Sequence, residues 1–502
     1  MAAWNAKLRL GICVFPVLSV LAACTMEPRY RAPPLPVAQQ WPIPPTTAAG
    51  ADGASASAAV ASNSDDDPAA TGAAADIGWR DFFVDARLQQ LIAQALANNR
   101  DLRVSILNIQ LARAQYRVQR SNLFPAVNAT GSYTKEKQPG IEFGVANSIT
   151  ASFYQVGVGV SSYELDLFGR VRSLTHAALE QYLAQEEARR SAQLSLIAEI
   201  ADAYLTLASD RELQRLARDT LKSQEDSFAL TQKRHAIGSV SGLDLAQAQT
   251  TVESARADAA RYDGNIAQDI DALTLLVGAP VDAQLLPQDF DSSSMGLDEL
   301  PAGLPSTVLL RRPDVLQAEH LLRSANANIG AARAAFFPTI SLTGSISSVS
   351  PALSGLFKSG TGAWSFTPQA SLPLFHGGEL VGNLSVANTN RDIALAQYEK
   401  AIQSSFRDVA DALALTQTLA RQRQAQEALV TASKSSYDLS QQRYKSGTDS
   451  YLAVLDAQRS YYSAQQGLIA TRLAQQNNRV TLYRALGGGW QELGRGKGAS
   501  EQ

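Results

Sequence analysis

Hydrophobic positions along this chain follow two rhythms, and each rhythm is written twice. In residues 339–348, TISLTGSISS, strict alternation puts Ile340, Leu342, Gly344 and Ile346 on one face and Thr339, Ser341, Thr343, Ser345 and Ser347 on the other. Residues 364–375, WSFTPQASLPLF, set Trp364, Phe366, Ala370, Leu372 and Leu374 against Ser365, Thr367, Gln369 and Ser371. An earlier run, FYQVGVGVSSYELDL at 153–167, alternates Val156, Val158 and Val160 with glycines. Successive side chains of a strand point to opposite faces, so these runs predict strands. The second rhythm is helical. No Gly or Pro interrupts residues 170–237 or 383–446. Both runs are rich in Ala, Leu, Gln, Arg and Glu, all good helix formers. Apolar residues return at spacings of three and four: Ile197, Ile200, Tyr204 and Leu207, then Leu395, Tyr398, Ile402, Phe406, Val409 and Leu413. At the helical rise each run reaches roughly 100 Å, far beyond the usual helix of about 11–12 residues.

After each long helix comes a turn that the chain repeats. RHAIGSVSGLDLAQAQ (234–249) aligns without a gap on RYKSGTDSYLAVLDAQ (443–458), with six identities at an offset of 209. IADAYL answers to VADALA, and Gly278 to Gly487, at the same offset of 209; Asp101 answers to Asp314, and Phe124-Pro125 to Phe337-Pro338, at 213. That period is too long for a solenoid and reads as a duplicated half. Each half is expected to open with a helix of about 25–30 residues that a Phe-Pro step ends, because Pro removes a donor and turns the chain away. Two strands, the long helix, the turn and a return helix of about 35 residues follow. The expected class is α+β.

The N-terminus supplies the compartment. Lys7 and Arg9 precede a short apolar run and then Leu21-Ala22-Ala23-Cys24. This is a signal-peptide pattern, residues 1–23, and the Cys after small residues looks like a bacterial lipobox. Cys24 is the expected lipidation site, and Thr25, standing where an inner-membrane retention signal would carry Asp, favours the outer membrane. Cys13 leaves with the signal, so the mature chain keeps no thiol for a disulfide or a metal. Residues 24–77 are expected to be a lipidated N-terminus and flexible tether, with 42–76 rich in Ala, Ser, Pro and Asp. Packing is expected to begin near Gly78.

Composition narrows the rest. The chain of 502 residues is 45% hydrophobic and 18% charged with formal net charge −3, which excludes a strongly basic nucleic-acid binder. His176, His235, His320 and His376 are scattered, GGG at 487–489 lacks the Lys of a phosphate loop, and SDDDP at 64–68 falls in the tether. No catalytic set and no metal site is expected, and no cofactor beyond the covalent lipid. The strand alternation fits a soluble half-buried sheet as well as a membrane barrel with a wet lumen. Period alone does not separate them; the lipobox favours the barrel. Four strands per chain cannot close a barrel, and lipid offers unpaired edges no water. Three chains would supply twelve strands. Their long helices would pool into a periplasmic tube ending at the repeated turns.

These residues resemble a family. The lipobox, GWRDFFVDARLQQLIAQALANNRDL, NLFP, YELDLFGRVR, the run LPAGLPSTVLLRRPDVLQAEHLLRSANANIGAARAAFFP, PLFHGG and RYKSGTDSYLAVLDAQRS are similar to TolC-like outer-membrane factors. The match is closest to their lipoprotein branch, of OprM and NodT type, which works with resistance-nodulation-division (RND) pumps. The resemblance covers roughly residues 78–489. It implies a homotrimer with a twelve-stranded transmembrane β-barrel, a twelve-helix periplasmic α-barrel and a mixed equatorial belt. It implies two repeats, 78–278 and 313–487, joined by an equatorial segment, 279–312, and followed by a tail, 488–502. It also implies partners: a periplasmic adaptor, an inner-membrane RND transporter and outer-membrane lipid. The function implied is export of drugs or other small toxic compounds. The alternatives are the outer component of a type I protein secretion system and a non-conducting coiled-coil lipoprotein.

In such a family the repeated turns form a periplasmic gate. Gly238 and Gly447 suit the left-handed geometry that ends a helix. Asp244 aligns with Ala453 and Asp456 with Gln247, so the copies carry carboxylates three residues apart, one turn along similar faces. In a trimer these would make two stacked rings of charge, with Arg443 as counter-charge. By analogy Arg443 bonds Asp456 across helices and Leu452 adds an apolar constriction; the bland reading is that these charges solvate helix ends. Ala453 and Asp449 depart from some members, which carry an acid and an Arg there.

Overall fold

The computed structural model describes residues 25–41, 77–139, 141, 147–288, 290 and 306–489. Cys24, the signal segment, all of 42–76 and the tail beyond Gly489 lie outside the described residues. The elements run α1 (Trp79–Phe82), α2 (Ala86–Asn98), α3 (Arg100–Ser121), β1 (Val127–Gln138), β2 (Ile149–Leu165), α4 (Arg170–Ala236) and α5 (Gly242–Val277). After two 3-10 turns, Ala283–Leu285 and Ser306–Arg311, come α6 (Pro313–Ala334), β3 (Thr339–Ser350), β4 (Gly362–Ser371), α7 (Glu379–Lys445) and α8 (Tyr451–Ala485). Contacts divide the chain into two compact units. One holds the strands, from Leu107–Glu186 and Gln317–Glu399 with the N-terminal residues to Pro34; the other comprises Leu35–Ile106, Glu187–Leu316 and Lys400–Gln502.

In the strand-bearing unit the sheet is antiparallel in the order β1-β2-β3-β4. Its register gathers the apolar residues on one face. Ala129 stands opposite Val158, Val158 opposite Ile346, and Ile346 opposite Trp364; likewise Val160 pairs Gly344 and Gly344 pairs Phe366. The other face carries Ser345 opposite Ser365 and Thr343 opposite Thr367. The apolar face is bare: Trp364 is 79% exposed and Ile346 76%. A bulge between Val160 and Tyr163, with Ser162 at φ 54°, inserts one residue into β2, so Tyr163 and Leu165 stay in phase with Leu342 and Ile340. β4 ends at Ser371, short of the expected run to Phe375, opposite Thr339 where its partner β3 begins.

The other unit is built on a core where α1 and α2 meet the long helices. Trp79, Phe82, Phe83, Leu88, Leu91 and Ile92 pack with Ile197, Ile200 and Tyr204 of α4, Leu273 and Val277 of α5, and Val480 and Tyr483 of α8. Tyr483 stacks on Phe82 with ring centroids 3.8 Å apart, and its hydroxyl donates to the Ile77 carbonyl at 2.6 Å. The opening helix expected in the first half is two helices, broken at Asn99 (φ −58°, ψ 133°). The Asn99 side chain accepts from Leu102 N at 2.8 Å and donates to Leu276 O at 2.8 Å, so the break is held from both sides. α7 starts three residues before Gly382, which sits in its first turn.

Packing begins before Gly78, the expected start: residues 25–41, part of the expected lipidated N-terminus and tether, are held. Within this second unit Trp41 is buried, stacks on Phe406 at 5.6 Å and donates from Nε1 to the Phe406 carbonyl at 3.2 Å. Ser306 N donates to Gln39 O at 3.0 Å. Within the strand-bearing unit residues 27–30 are pinned as well. A Pro-rich segment has no hydrophobic period of its own, yet one Trp and a few backbone groups suffice to hold it against helices already in place.

Candidate functional site

The repeated turns are the ends of two helical hairpins, α4–α5 and α7–α8. Each closes with a Schellman motif. Gly238 N bonds His235 O at 2.9 Å and Ser239 N bonds Arg234 O at 2.9 Å; Gly447 N bonds Tyr444 O at 3.0 Å and Thr448 N bonds Arg443 O at 2.9 Å. Both glycines sit at φ 75° with no atom within 4 Å of a would-be Cβ. Backbone handedness, not crowding, is therefore what demands Gly here.

The two acids do different work. Ser241 caps α5 by accepting from Asp244 N at 3.1 Å, and the Asp244 carboxylate accepts from Ser241 N at 3.1 Å and from its hydroxyl at 2.8 Å. This capping box satisfies orphan donors of the first turn. Ser450 makes no side-chain cap, and Ala453 has no carboxylate to supply the return bond of a box. In the second hairpin Arg443 grips Asp449 with both ends of its fork, Nε to Oδ2 at 2.6 Å and Nη2 to Oδ1 at 3.0 Å. The bond lowers the Asp449 carboxyl below its ordinary range and raises Arg443. The expected Arg443–Asp456 bond is thus corrected within the chain: the Schellman loop folds Asp449 back onto Arg443, which is spent there. Asp456 and Leu452 lie one turn apart on the exposed side of α8, Leu452 being 50% exposed.

The first copy has Val240 at the position of Asp449, so Arg234 turns outward. Its guanidinium lies over the Tyr444 ring, 5.7 Å from the centroid, with Nη1 3.5 Å from the hydroxyl. Tyr444 packs on Tyr451 at 5.3 Å, and the Tyr451 hydroxyl is 3.2 Å from that of Ser227 on α4. Ala248, Tyr451, Val454 and Leu455 make a small buried core between the hairpins, with Phe228 and Tyr437 against it. The sequence pattern does not single out Tyr444 or Ser241, and it marks Asp449 only as a departure from family members, not as the partner of Arg443. Only Ser241-x-x-Asp244 had a spacing that could have shown it.

Two stretches of the chain, residues 91–279 and 304–488, match the family model described as outer membrane efflux protein. The chain belongs to the outer membrane efflux protein family. It is 49% identical over 474 residues to the antibiotic efflux pump outer membrane protein ArpC of Pseudomonas putida, 94% of each chain being covered. The toluene efflux pump outer membrane protein TtgC, also of Pseudomonas putida, gives 49% over 474 residues with the same coverage. The crystal structure of the open state of the Neisseria gonorrhoeae MtrE outer membrane channel is similar at a TM-score of 0.80 and 39% identity, covering 93% of this chain and 99% of that one. The chain is an outer-membrane efflux channel protein, and it shares the mixed fold of such channels with four strands per chain. As a member of that family it carries its exposed apolar sheet face and its two capped hairpins on one polypeptide.

Proposed function

We propose that this chain is the outer-membrane channel of a tripartite efflux pump, working as a homotrimer with a periplasmic adaptor and an inner-membrane RND transporter. The observation that carries the reading is the sheet. It exposes a continuous apolar face and ends in two long edges, β1 and β4, that no strand of the described residues covers. In lipid such edges must pair, and three copies joined β4 to β1 give a closed barrel of twelve strands. Antibiotic and toluene pumps among the relatives support small, apolar or amphipathic export substrates. Cys24 would carry the lipid, and the barrel would conduct without a cofactor or catalysis.

The hairpin ends are the proposed periplasmic gate. Leu452 and Asp456 stand exposed on α8, where a neighbouring copy can meet them, while Asp244 and the Arg443–Asp449 pair stiffen the turns behind them. Asp456→Ala is expected to raise leak of antibiotics that the intact channel excludes. Unchanged permeability with both Asp456 and Arg443 replaced by Ala would remove these residues from the gate. For the whole reading the test is cross-linking in living cells followed by purification from detergent extract. Recovery of a proton-driven transporter and its adaptor supports small-molecule efflux. Recovery of an ATP-driven transporter would move the channel to protein secretion.

A further inference from the structure

Residues 25–34 lie in the strand-bearing unit against one face each of α4 and α6. The Glu27 carboxylate sits on His176 Nδ1 at 2.9 and 3.1 Å. His176 Nε2 is 3.3 Å from Glu180 Oε1, and the other oxygen of Glu180 is 2.6 Å from His320 Nδ1. Asn326 donates to the Pro28 carbonyl at 2.7 Å, and Tyr30 donates to Glu319 at 3.1 Å with its ring 5.0 Å below the Arg323 guanidinium. Glu319, Arg323, Asn326 and Gly330 are spaced by four, three and four, one stripe of α6. Gly330 has no room for a side chain: a Cβ there would lie 2.7 Å from Glu27 Cα and 2.9 Å from its nitrogen. Ser324 ties the two helices by donating to Ala177 O at 3.0 Å.

This is more than a surface ion pair. The Glu180 side chain is only 8% exposed. Burial alone would raise its carboxyl, but hydrogen bonds from His176 and His320 bring it down to about 2. Hydrogen bonds to Glu180 and then Glu27 raise His176 to about 10, so its imidazolium is held between two carboxylates. The segment itself has no helix or strand to hold it. Its place comes wholly from the groove.

We propose that the α4–α6 groove is a binding site for the chain's own N-terminal segment after Cys24, and that Glu27, His176 and Glu180 fasten it there. Cys24 precedes Glu27 by three residues, a reach of roughly 10 Å. On the reading that Cys24 carries lipid, the anchor would then be held beside the helices that carry the sheet. The groove thus sets where the anchor meets the wall.

Trypsin offers a direct reading on the full-length protein in detergent, because Arg29 and Arg31 are exposed and lie inside the fastened segment. Cleavage there requires the segment to leave the groove, so its rate follows the open population. Release of the N-terminal peptide, followed by mass spectrometry, is expected to be slow in the wild type. His176→Gln and Glu27→Gln should each speed it about tenfold, the factor that one lost charge-assisted hydrogen bond corresponds to. The double variant should be no faster than either single, since both remove one pair. Gly330→Ala should release the segment with every charge in place. His320→Gln, which touches Glu180 but not the segment, should act weakly. Equal rates in wild type and in the His176 and Glu27 variants, additive singles, or a His320→Gln effect as large as His176→Gln would each overturn the fastener.

Discussion

Two glycines on the polar face of β2 test the reading of the sheet. Gly157 stands opposite Ser347 and Gly159 opposite Ser345. A Cβ on Gly157 would lie 2.6 Å from Ser347 Cβ and 2.8 Å from the Ile346 carbonyl oxygen. Cross-strand Cβ atoms ordinarily stand about 4.5–5.5 Å apart, so the polar face is strongly concave here. Concavity on the polar face is what a closing barrel with a wet interior requires. On the apolar face the strain is absent: a Cβ on Gly131 would meet Val156 Cγ2 at 3.5 Å, an ordinary contact. Gly157→Ala must therefore push β2 and β3 apart, and overpacking of this kind costs about 1–3 kcal/mol. If three chains share one barrel, the assembly loses about 3–9 kcal/mol. The assay is the fraction of detergent-resistant oligomer after graded heating of outer membranes. Gly157→Ala should dissociate at distinctly lower temperature, Gly131→Ala near wild type. Ser347→Gly on the Gly157→Ala background should restore part of the loss, not all, because the Ile346 oxygen remains. Indistinguishable heating curves for Gly157→Ala, Gly131→Ala and wild type would refute the concave seam and with it this argument for closure.

Three titrating groups lose stability as pH rises, and a fourth loses it only in acid. His176, raised from 6.5 to about 10, stabilises fully below its ordinary value and loses that contribution as pH climbs toward 10. Asp202 and Asp269, each pushed up from 3.8 to about 6 chiefly by burial, favour the fold while protonated, and that contribution is lost as pH rises from 3.8 to about 6. Glu180, lowered from 4.5 to about 2, holds its contribution until pH falls below 4.5. Heat stability is thus expected to be higher at pH 5.5 than at pH 8.5, and a rise toward pH 8.5 in a thermal melt would contradict the assignment. Asp449→Ala frees Arg443 and should loosen the second turn, read as faster amide exchange at 446–450, with a smaller rise in the first turn, which leans on it through Arg234 on Tyr444. Ser241→Ala removes the α5 cap, worth about 1 kcal/mol, and should speed exchange at the start of α5 only. Tyr483→Ala removes the ring stacked on Phe82 in the largest core and should cost about 3–5 kcal/mol, seen as loss of folded protein at the growth temperature.

The long helices were legible because nothing in them argues for anything else. Stretches free of Gly and Pro, with apolar residues at threes and fours, leave the chain one regular option, and α4 and α7 fill those stretches to within a few residues. The sheet was legible by alternation, though β4 stops at Ser371, where its partner β3 begins opposite it at Thr339. Asn99 was hidden for a physical reason. It sits among good helix formers, and only its two side-chain bonds to distant or local backbone reward the break. The 25–41 segment was hidden because its contacts belong to the helices, to Gly330, Asn326, His176 and Phe406, and no local pattern announces them. Of the hairpin residues, the glycines could be read from the turn they must make. The partner of Arg443 could not, since six residues of separation become contact only after the loop has closed.

The two copies of the turn carry their acids at different places because each acid closes a different gap. With Asp244 three residues after Ser241, the first copy completes a cap, and with Val240 beside it, Arg234 has no acid in its own turn. That Arg is then available to the neighbouring hairpin and lies on Tyr444. The second copy gives up the cap at Ala453 and places Asp449 where it ties down Arg443. The second turn is therefore internally closed, and the first leans on it through Arg234. Loss of Asp449 frees a cation next to Tyr444 and disturbs both turns' surroundings, whereas loss of Asp244 frays one helix end. Coupling between the hairpins thus runs through an aromatic contact that a duplicated sequence gained by changing one residue, Val240 against Asp449, and not through the carboxylates that first draw the eye.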